Sequence, residues 1–200
     1  MSAGSGGIAK RALKQESVED GLGKVVRRRR EHLQLSLRGL AELTGFSPSF
    51  MSQVENGQAS PSISSLEKIA AALGLTLAEF FRSPGREPPA VVRAEERPSL
   101  NSEWSKAKIE SLGMAGPGTR LEPVLVTLAP GGMSGKRPVA AATEEFAIVI
   151  EGQLHLTLDD QEHALATGDA VTIRAGTPRR WQNPGTTPAR VAIVSSRFPF

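Results

Sequence analysis

Ser49, Ser52 and Gln53 lie in the run Ser47-Pro-Ser-Phe-Met-Ser-Gln-Val-Glu-Asn-Gly57. At helical spacing they share the face opposite Phe50, Met51 and Val54. Their short side chains donate and accept hydrogen bonds at close range, which suits phosphate oxygens and base edges. Gln53 can also grip an adenine edge through two bonds. The plainer alternative is a solvated Gln on a surface helix. Upstream, Arg27-Arg-Arg-Arg30 stands against one acid, Glu31, within residues 21–35. Some of these arginines belong to a solvated helix face. Beside a polar-faced helix, phosphate contact is the better account of one or two of them, Arg27 first.

A helix-turn-helix would position that face. Ser36 can cap a first helix whose buried side is Leu37, Leu40, Ala41 and Thr44. Gly45 tolerates the positive φ of a sharp turn. Ser47 then caps a second helix with Pro48 at its first position, where a missing N–H costs nothing. A preceding helix is expected from Leu22 to Leu33, with Leu22, Val25, Val26 and Leu33 buried. A fourth opens at Pro61-Ser62, buries Ile63, Leu66, Ile69, Ala70 and Leu73, and stops at Gly74. Thr76-Leu-Ala-Glu79 reads as a capping box for a fifth helix with Leu77, Phe80 and Phe81.

Residues 22–81 resemble the lambda-repressor-like, or Xre-type, DNA-binding domain, an all-α five-helix fold. The resemblance runs through Leu22-Gly23, Val26-Arg27…Arg30, Leu40-Ala41 and Gly45-Phe-Ser-Pro-Ser49. It continues through Ser52-Gln-Val-Glu-Asn-Gly57, Pro61-Ser62, Ile69-Ala70…Leu73-Gly74 and Leu77…Phe80-Phe81. It implies a DNA-binding domain over 21–82 and a double-stranded DNA operator as partner. The implied DNA contacts are Arg27, Leu37, Arg38, Ser47, Pro48, Ser49, Ser52, Gln53 and Asn56. It also implies that Arg30 and Glu55 form a structural salt bridge. Leu37 departs from the family, where a Gln often opens this helix and touches DNA. Leucine cannot donate that bond, so Arg38 is expected to supply some of the contact.

Two hundred residues with no Cys exclude disulfides and thiolate metal sites,. No apolar run is long enough to cross a bilayer and no secretory leader is evident, so a cytoplasmic protein is expected. Residues 1–20 read as a disordered basic tail and 83–119 as a linker with peripheral strands. Beyond about residue 90 the period becomes alternating: Phe146, Ile148 and Ile150, then Leu154, Leu156 and Leu158, then Val171 and Ile173, Val191 and Ile193. Gly, Pro and Asp turns separate these runs, as in an all-β sandwich or small barrel. Glu145-Phe-Ala-Ile-Val-Ile-Glu-Gly152, Gly168-Asp-Ala-Val-Thr-Ile173 and Gly176-Thr-Pro…Asn183-Pro-Gly185 resemble the two motifs of the cupin jelly roll. That implies a multidomain chain, all-α and then a cupin barrel over 120–197. The arrangement is similar to that of bacterial regulators whose cupin senses a small molecule.

Cupin enzymes hold a divalent metal with two His and a Glu from one motif and a His from the other. Here Glu145 keeps the Glu position, Pro138-Val-Ala-Ala-Ala-Thr143 holds no His, and Arg179 stands at the second-motif His. His32, His155 and His163 are the only histidines and none is at a motif position. Arg cannot ligate a metal, so no metal, no cofactor and no catalytic residue are expected. What remains is a barrel mouth with Glu145 and Arg179, and with Arg137, Trp181 and Asn183 nearby. This set could hold an amino acid, an amine or a carboxylate as effector. Alternatively Glu145 and Arg179 pair with each other and Trp181 packs as core. The combined reading is a homodimeric, sequence-specific DNA-binding transcriptional regulator, a repressor, with no membrane partner. The rival readings are a helix-turn-helix-fused metal-dependent oxygenase or epoxidase, and an antitoxin-like DNA-binding protein.

Overall fold

In a computed structural model the described residues are 21–81, 91–113 and 119–196. The expected tail (1–20) and residues 83–90 and 114–118 of the expected linker lie outside them. The chain divides into two compact units between Ala59 and Ser60.

The first unit holds α1 (residues 21–32), α2 (Leu37–Thr44) and α3 (Pro48–Glu55). Each boundary has a local cause. The Ser36 hydroxyl accepts from Gly39 N at 3.0 Å, and the Ser47 hydroxyl accepts from Phe50 N at 3.1 Å. Gly45 closes α2 at φ 71°, a left-handed conformation that a Cβ would disfavour,. Val26, Leu40, Met51 and Val54 form the fully buried centre. Leu33 lies beyond the end of α1 and is 40% exposed, contrary to its expected place in the core. Leu37 is half-buried. Phe50, expected in the core, is also half-buried and meets Phe46 edge-on at 5.1 Å between ring centroids.

The second unit opens with α4 (Ile63–Ala72), capped by Ser62, whose hydroxyl accepts from Ser65 N at 3.1 Å. The expected fifth helix is a single 3-10 turn, Ala78–Phe81. Half of the capping box forms, with Thr76 N donating to Glu79 Oε2 at 3.0 Å.

Among the described residues ten strands then build two sheets. The larger takes β1 (Ser99–Ser102), β2 (Ala107–Ser111), β3 (Leu121–Leu128), β5 (Glu145–Glu151), β8 (Ala170–Ile173) and β10 (Ala189–Ser196), in the order β1-β2-β3-β10-β5-β8. The smaller has β4 (Val139–Ala140), β6 (Gln153–Leu158), β7 (Gln161–Ala166) and β9 (Pro178–Gln182), in the order β4-β9-β6-β7. All the pairings are antiparallel. Leu154, Leu156, Ile173, Trp181, Val191 and Ile193 fill the space between the sheets. On β5 the smaller residues, Ala147 and Val149, turn inward, while Phe146 and Ile150 are each 46% exposed. α4 is tied to the sheets by backbone chemistry: Ser64 N and its hydroxyl both donate to Ser134 O, at 2.9 and 2.8 Å. No helix among the described residues is long and apolar enough to cross a membrane.

Candidate functional site

The first unit aims one helix face outward by clamping the other. Glu55, at the last turn of α3, has a side chain with no exposed surface. Arg30 of α1 meets it through two bonds, Nε at 2.6 Å and Nη2 at 2.9 Å, and gives a third to Leu35 O at 2.9 Å. Burial pushes the Glu55 carboxyl up, but the hydrogen bonds and charges of Arg30 and Arg27 outweigh it and hold it below the ordinary carboxylate value. The same hydrogen bond raises Arg30. Gly23 lets α1 approach this turn, since a Cβ there would lie 2.5 Å from Glu55 O and 2.7 Å from Val54 O.

With that side fixed, Pro48, Ser49 and Gln53 stand exposed on α3, Ser52 is half-buried, and Ser47 and Asn56 are exposed at its ends. Arg38 is exposed at the start of α2. Arg27 is drawn into the clamp: its Nε donates to Glu55 at 3.1 Å and its Nη2 to Asn56 Oδ1 at 3.0 Å. Asn56 in turn donates to the Ser52 hydroxyl at 3.4 Å. Arg27 is still half-exposed, with one face left for solvent or phosphate.

In the second unit, α4 and the inner faces of both sheets enclose a cavity of about 180 Å³. Arg179 of β9 stands in its wall between two carboxylates. Its Nε and Nη2 grip Glu145 of β5 at 2.5 and 2.7 Å. Its Nη2 and Nη1 reach Glu67 of α4 at 2.9 and 3.3 Å, and Nη1 also meets Val139 O at 3.3 Å. A guanidinium has five N–H donors, so Arg179 has none left for a ligand carboxylate. Burial opposes its charge, but the attraction of Glu67 and the bonds from Glu145 exceed that and raise its pKa. Burial raises the Glu67 carboxyl above its ordinary value, with the Arg179 charge opposing and the Glu145 charge adding to the rise.

Three of the five residues expected around the ligand line the cavity: Glu145, Arg179 and Trp181. The other two do not. Arg137 is exposed and away from the lining. Asn183 is spent on holding its loop to β3, donating to Leu128 O and Thr187 O at 2.8 Å each while its Oδ1 accepts from Gly185 N at 2.9 Å. The alternative of a Glu145–Arg179 pair therefore describes the bonding, with Glu67 as a third member that the sequence reading missed. Glu122 was missed too. Its buried side chain lines the cavity together with Val124 and Val126, the alternate residues of β3,. Ser195 of β10 is paired with Glu145 on one side and Glu122 on the other, which sets the two acids in one row. Two further polar atoms of lining residues, Trp181 Nε1 and Thr76 Oγ1, are buried with no hydrogen-bond partner. An unmet buried donor or acceptor costs about 1–3 kcal/mol.

These residues do not fit the metal that cupin enzymes carry. A guanidinium fills the place of a ligating imidazole and occupies both oxygens of Glu145. Among the described residues no group of three or more His, Cys, Asp or Glu is placed to hold a metal ion.

Comparison with known proteins matches residues 22–80 to a helix-turn-helix domain family and residues 124–195 to the cupin domain family. The chain is 32% identical over 179 residues to the HTH-type transcriptional regulator PuuR of Escherichia coli, covering 88% of this chain and 94% of that protein. It is 28% identical over 164 residues to the HTH-type transcriptional regulator SutR of the same organism, covering 82% and 88%. The crystal structure of an HTH_3 family transcriptional regulator from Vibrio cholerae superposes with a TM-score of 0.71 at 26% identity, covering 91% of this chain and 97% of that one.

Proposed function

The chain belongs to the family of helix-turn-helix transcriptional regulators that carry a C-terminal cupin domain, and from that premise we propose that it is a homodimeric, effector-responsive repressor acting on DNA in the cytoplasm. The observation that carries this reading is the clamp on Glu55, which holds α3 by its buried side and leaves Ser49 and Gln53 facing outward. These two side chains, with Ser52, are assigned to base edges, and Ser47, Pro48, Arg38 and the free face of Arg27 to the backbone. The effector occupies the cavity beside α4, and the chain runs directly from α3 through residues 56–62 into that helix. The barrel performs no catalysis in this reading, because Arg179 and Glu145, at two of the metal-ligand positions of cupin enzymes, are committed to one another.

One such domain reads too few base pairs to select a genomic site, whereas a two-fold dimer sets two recognition helices one DNA turn apart. The outer face of the larger sheet offers the surface for a second copy. Phe146 pairs with Val194 and Ile148 with Ala192 across β5 and β10, and Val194 pairs with Pro123 on β3. With exposed Ile150 and Leu121, these residues form a continuous apolar stripe, of the kind that marks an association site. The test is the double variant Phe146→Glu with Ile150→Glu, followed by sedimentation and DNA titration. It is expected to sediment as a monomer and to lose affinity for a selected duplex. A dimer that still binds at full strength would refute the assignment of this face.

A further inference from the structure

Asn56, exposed at the end of α3, stands between a tethered cation and a hydroxyl of the outward face. The cation is Arg27. Its Nε donates to Glu55 Oε2 at 3.1 Å, and Glu55 has no exposed side-chain surface and is also held by Arg30. Arg27 Nη2 donates to Asn56 Oδ1 at 3.0 Å, and Asn56 Nδ2 donates to Ser52 Oγ at 3.4 Å. Ser52 and Asn56 are four residues apart, as neighbours on one helix face are. The order of donors and acceptors along this chain of bonds is forced. A guanidinium only donates, so the amide must turn its oxygen to Arg27 and its NH2 to Ser52. The opposite orientation would set two donors against each other and lose the bond to Arg27. Ser52 must therefore accept from Asn56. Its hydroxyl then has a proton and one lone pair to offer, and among the described residues that proton meets no acceptor. A hydroxyl that already accepts is also the better donor, because each bond in such a chain polarises the next.

We propose that Asn56 is a positioning residue for DNA recognition: it sets the Ser52 hydroxyl as a donor, so that Ser52 selects a base presenting an acceptor in the major groove. The proposal rests on the assignment of α3 as the DNA-reading helix and names the base chemistry that one of its side chains takes. Guanine N7 and O6, adenine N7 and thymine O4 are such acceptors, whereas cytosine presents only its N4 donor there. Beside cytosine, Ser52 would use its second lone pair and leave its proton facing a donor. An unmet donor costs free energy once water is excluded. Serine alone has no such preference, since a free hydroxyl rotates to donate or accept as its partner requires. Here the preference is imposed from Glu55 through Arg27 and Asn56, so the clamp that holds α3 also sets what Ser52 reads.

The test is selection of bound duplexes from a random pool by the full-length chain, with base frequencies compared position by position. Ser52→Ala should flatten the preference at one position of the selected motif by about two- to tenfold, the range of a single hydrogen bond. Asn56→Ala frees the hydroxyl to rotate and should flatten the same position. Asn56→Asp goes further. A carboxylate still accepts from Arg27, but it also takes the Ser52 proton and leaves Ser52 only lone pairs to offer. At the position that Ser52→Ala flattens, the base pair excluded by the unaltered chain, with cytosine on the contacted strand, should gain by a similar factor. The added negative charge weakens binding to all sequences alike, so base identity and not affinity is the readout. Loss of folding would flatten every position together and cannot imitate a change at one. A motif in which Asn56→Asp brings no gain of cytosine at that position overturns the relay and leaves α3 as the reading helix. If Asn56→Asp binds too weakly to select, the two alanine variants decide, and flattening at different positions, or at none, overturns the relay. A pool that stays random under the unaltered chain overturns the assignment of α3 itself, and the proposal with it.

Discussion

Replacing Arg179 by Ala should damage the barrel far more than any surface change. Arg179 gives four of its donors to the carboxylates of Glu145 and Glu67 and one to Val139 O. Its side chain is 6% exposed, that of Glu145 7% and that of Glu67 24%, so solvent cannot take over for the lost partner. Removing one member of a buried ion pair costs about 3–5 kcal/mol, chiefly because the remaining charge is left uncompensated. With a urea slope of about 2 kcal/mol/M for a domain of this size, the midpoint should fall by roughly 2 M. Both tryptophans, Trp104 and Trp181, lie in the second unit, so indole emission during urea unfolding follows that unit alone. Arg179→Lys should fall between the two, since an ammonium retains the charge without the fork. The deficit also has a sign with pH. Burial raises Glu67 even with Arg179 present, and the variant raises it further. A carboxyl raised on folding adds stability that is complete below its unfolded value of about 4.3 and is lost as pH rises through the folded value. The gap between variant and parent should therefore narrow from about pH 7 to about pH 5. A variant within about 1 kcal/mol of the parent at neutral pH, or a gap that widens in acid, would refute this account of the triad.

Gln53→Ala should cost about 1–3 kcal/mol at a selected duplex and leave random DNA unaffected; equal losses in a mobility-shift titration would remove Gln53 from base reading. Gly23→Ala should destabilise the first unit by about 1–3 kcal/mol, because its Cβ meets the Glu55 and Val54 carbonyls and the backbone cannot yield cheaply,. Circular dichroism on heating will detect this loss, and an unchanged first unit would contradict the close approach of α1 to α3. Glu55 is held below its ordinary value, so its contribution is present above the unfolded pKa and lost as pH falls through the folded one,. Glu55→Gln should thus flatten the acid limb of the first unit's stability curve, and a variant with the parent's acid midpoint would count against the clamp.

Much of the first unit was legible because its determinants are local. Ser36, Ser47 and Gly45 act on backbone within a turn of themselves, and each does what its chemistry suggests. The Arg30–Glu55 bond is long-range, and only the family resemblance pointed to it. The β-unit was legible as alternation, but alternation names two faces without saying which is inside. On β5 it is Ala147 and Val149, not the larger Phe146 and Ile150, that face the other sheet. Glu67 could not be read from its surroundings in the sequence. It looks like one more charge on an amphipathic helix, and its partner is 112 residues away. Asn183 misled for a related reason: a polar residue at a turn near a barrel mouth suits a ligand, yet two bonds within its own loop and one to Leu128 O of β3 occupy it.

Selection of bound sites from a pool of random duplexes by the full-length chain tests the central claim most directly. Two copies reading DNA through α3 predict enrichment of an inverted repeat whose half-sites are centred about one helical turn, roughly 10 base pairs, apart. The same selection with Ser49→Ala and Gln53→Ala together should lose that sequence while retaining salt-sensitive binding. A pool that stays random under the unaltered chain, or a motif that survives both substitutions, would contradict the account.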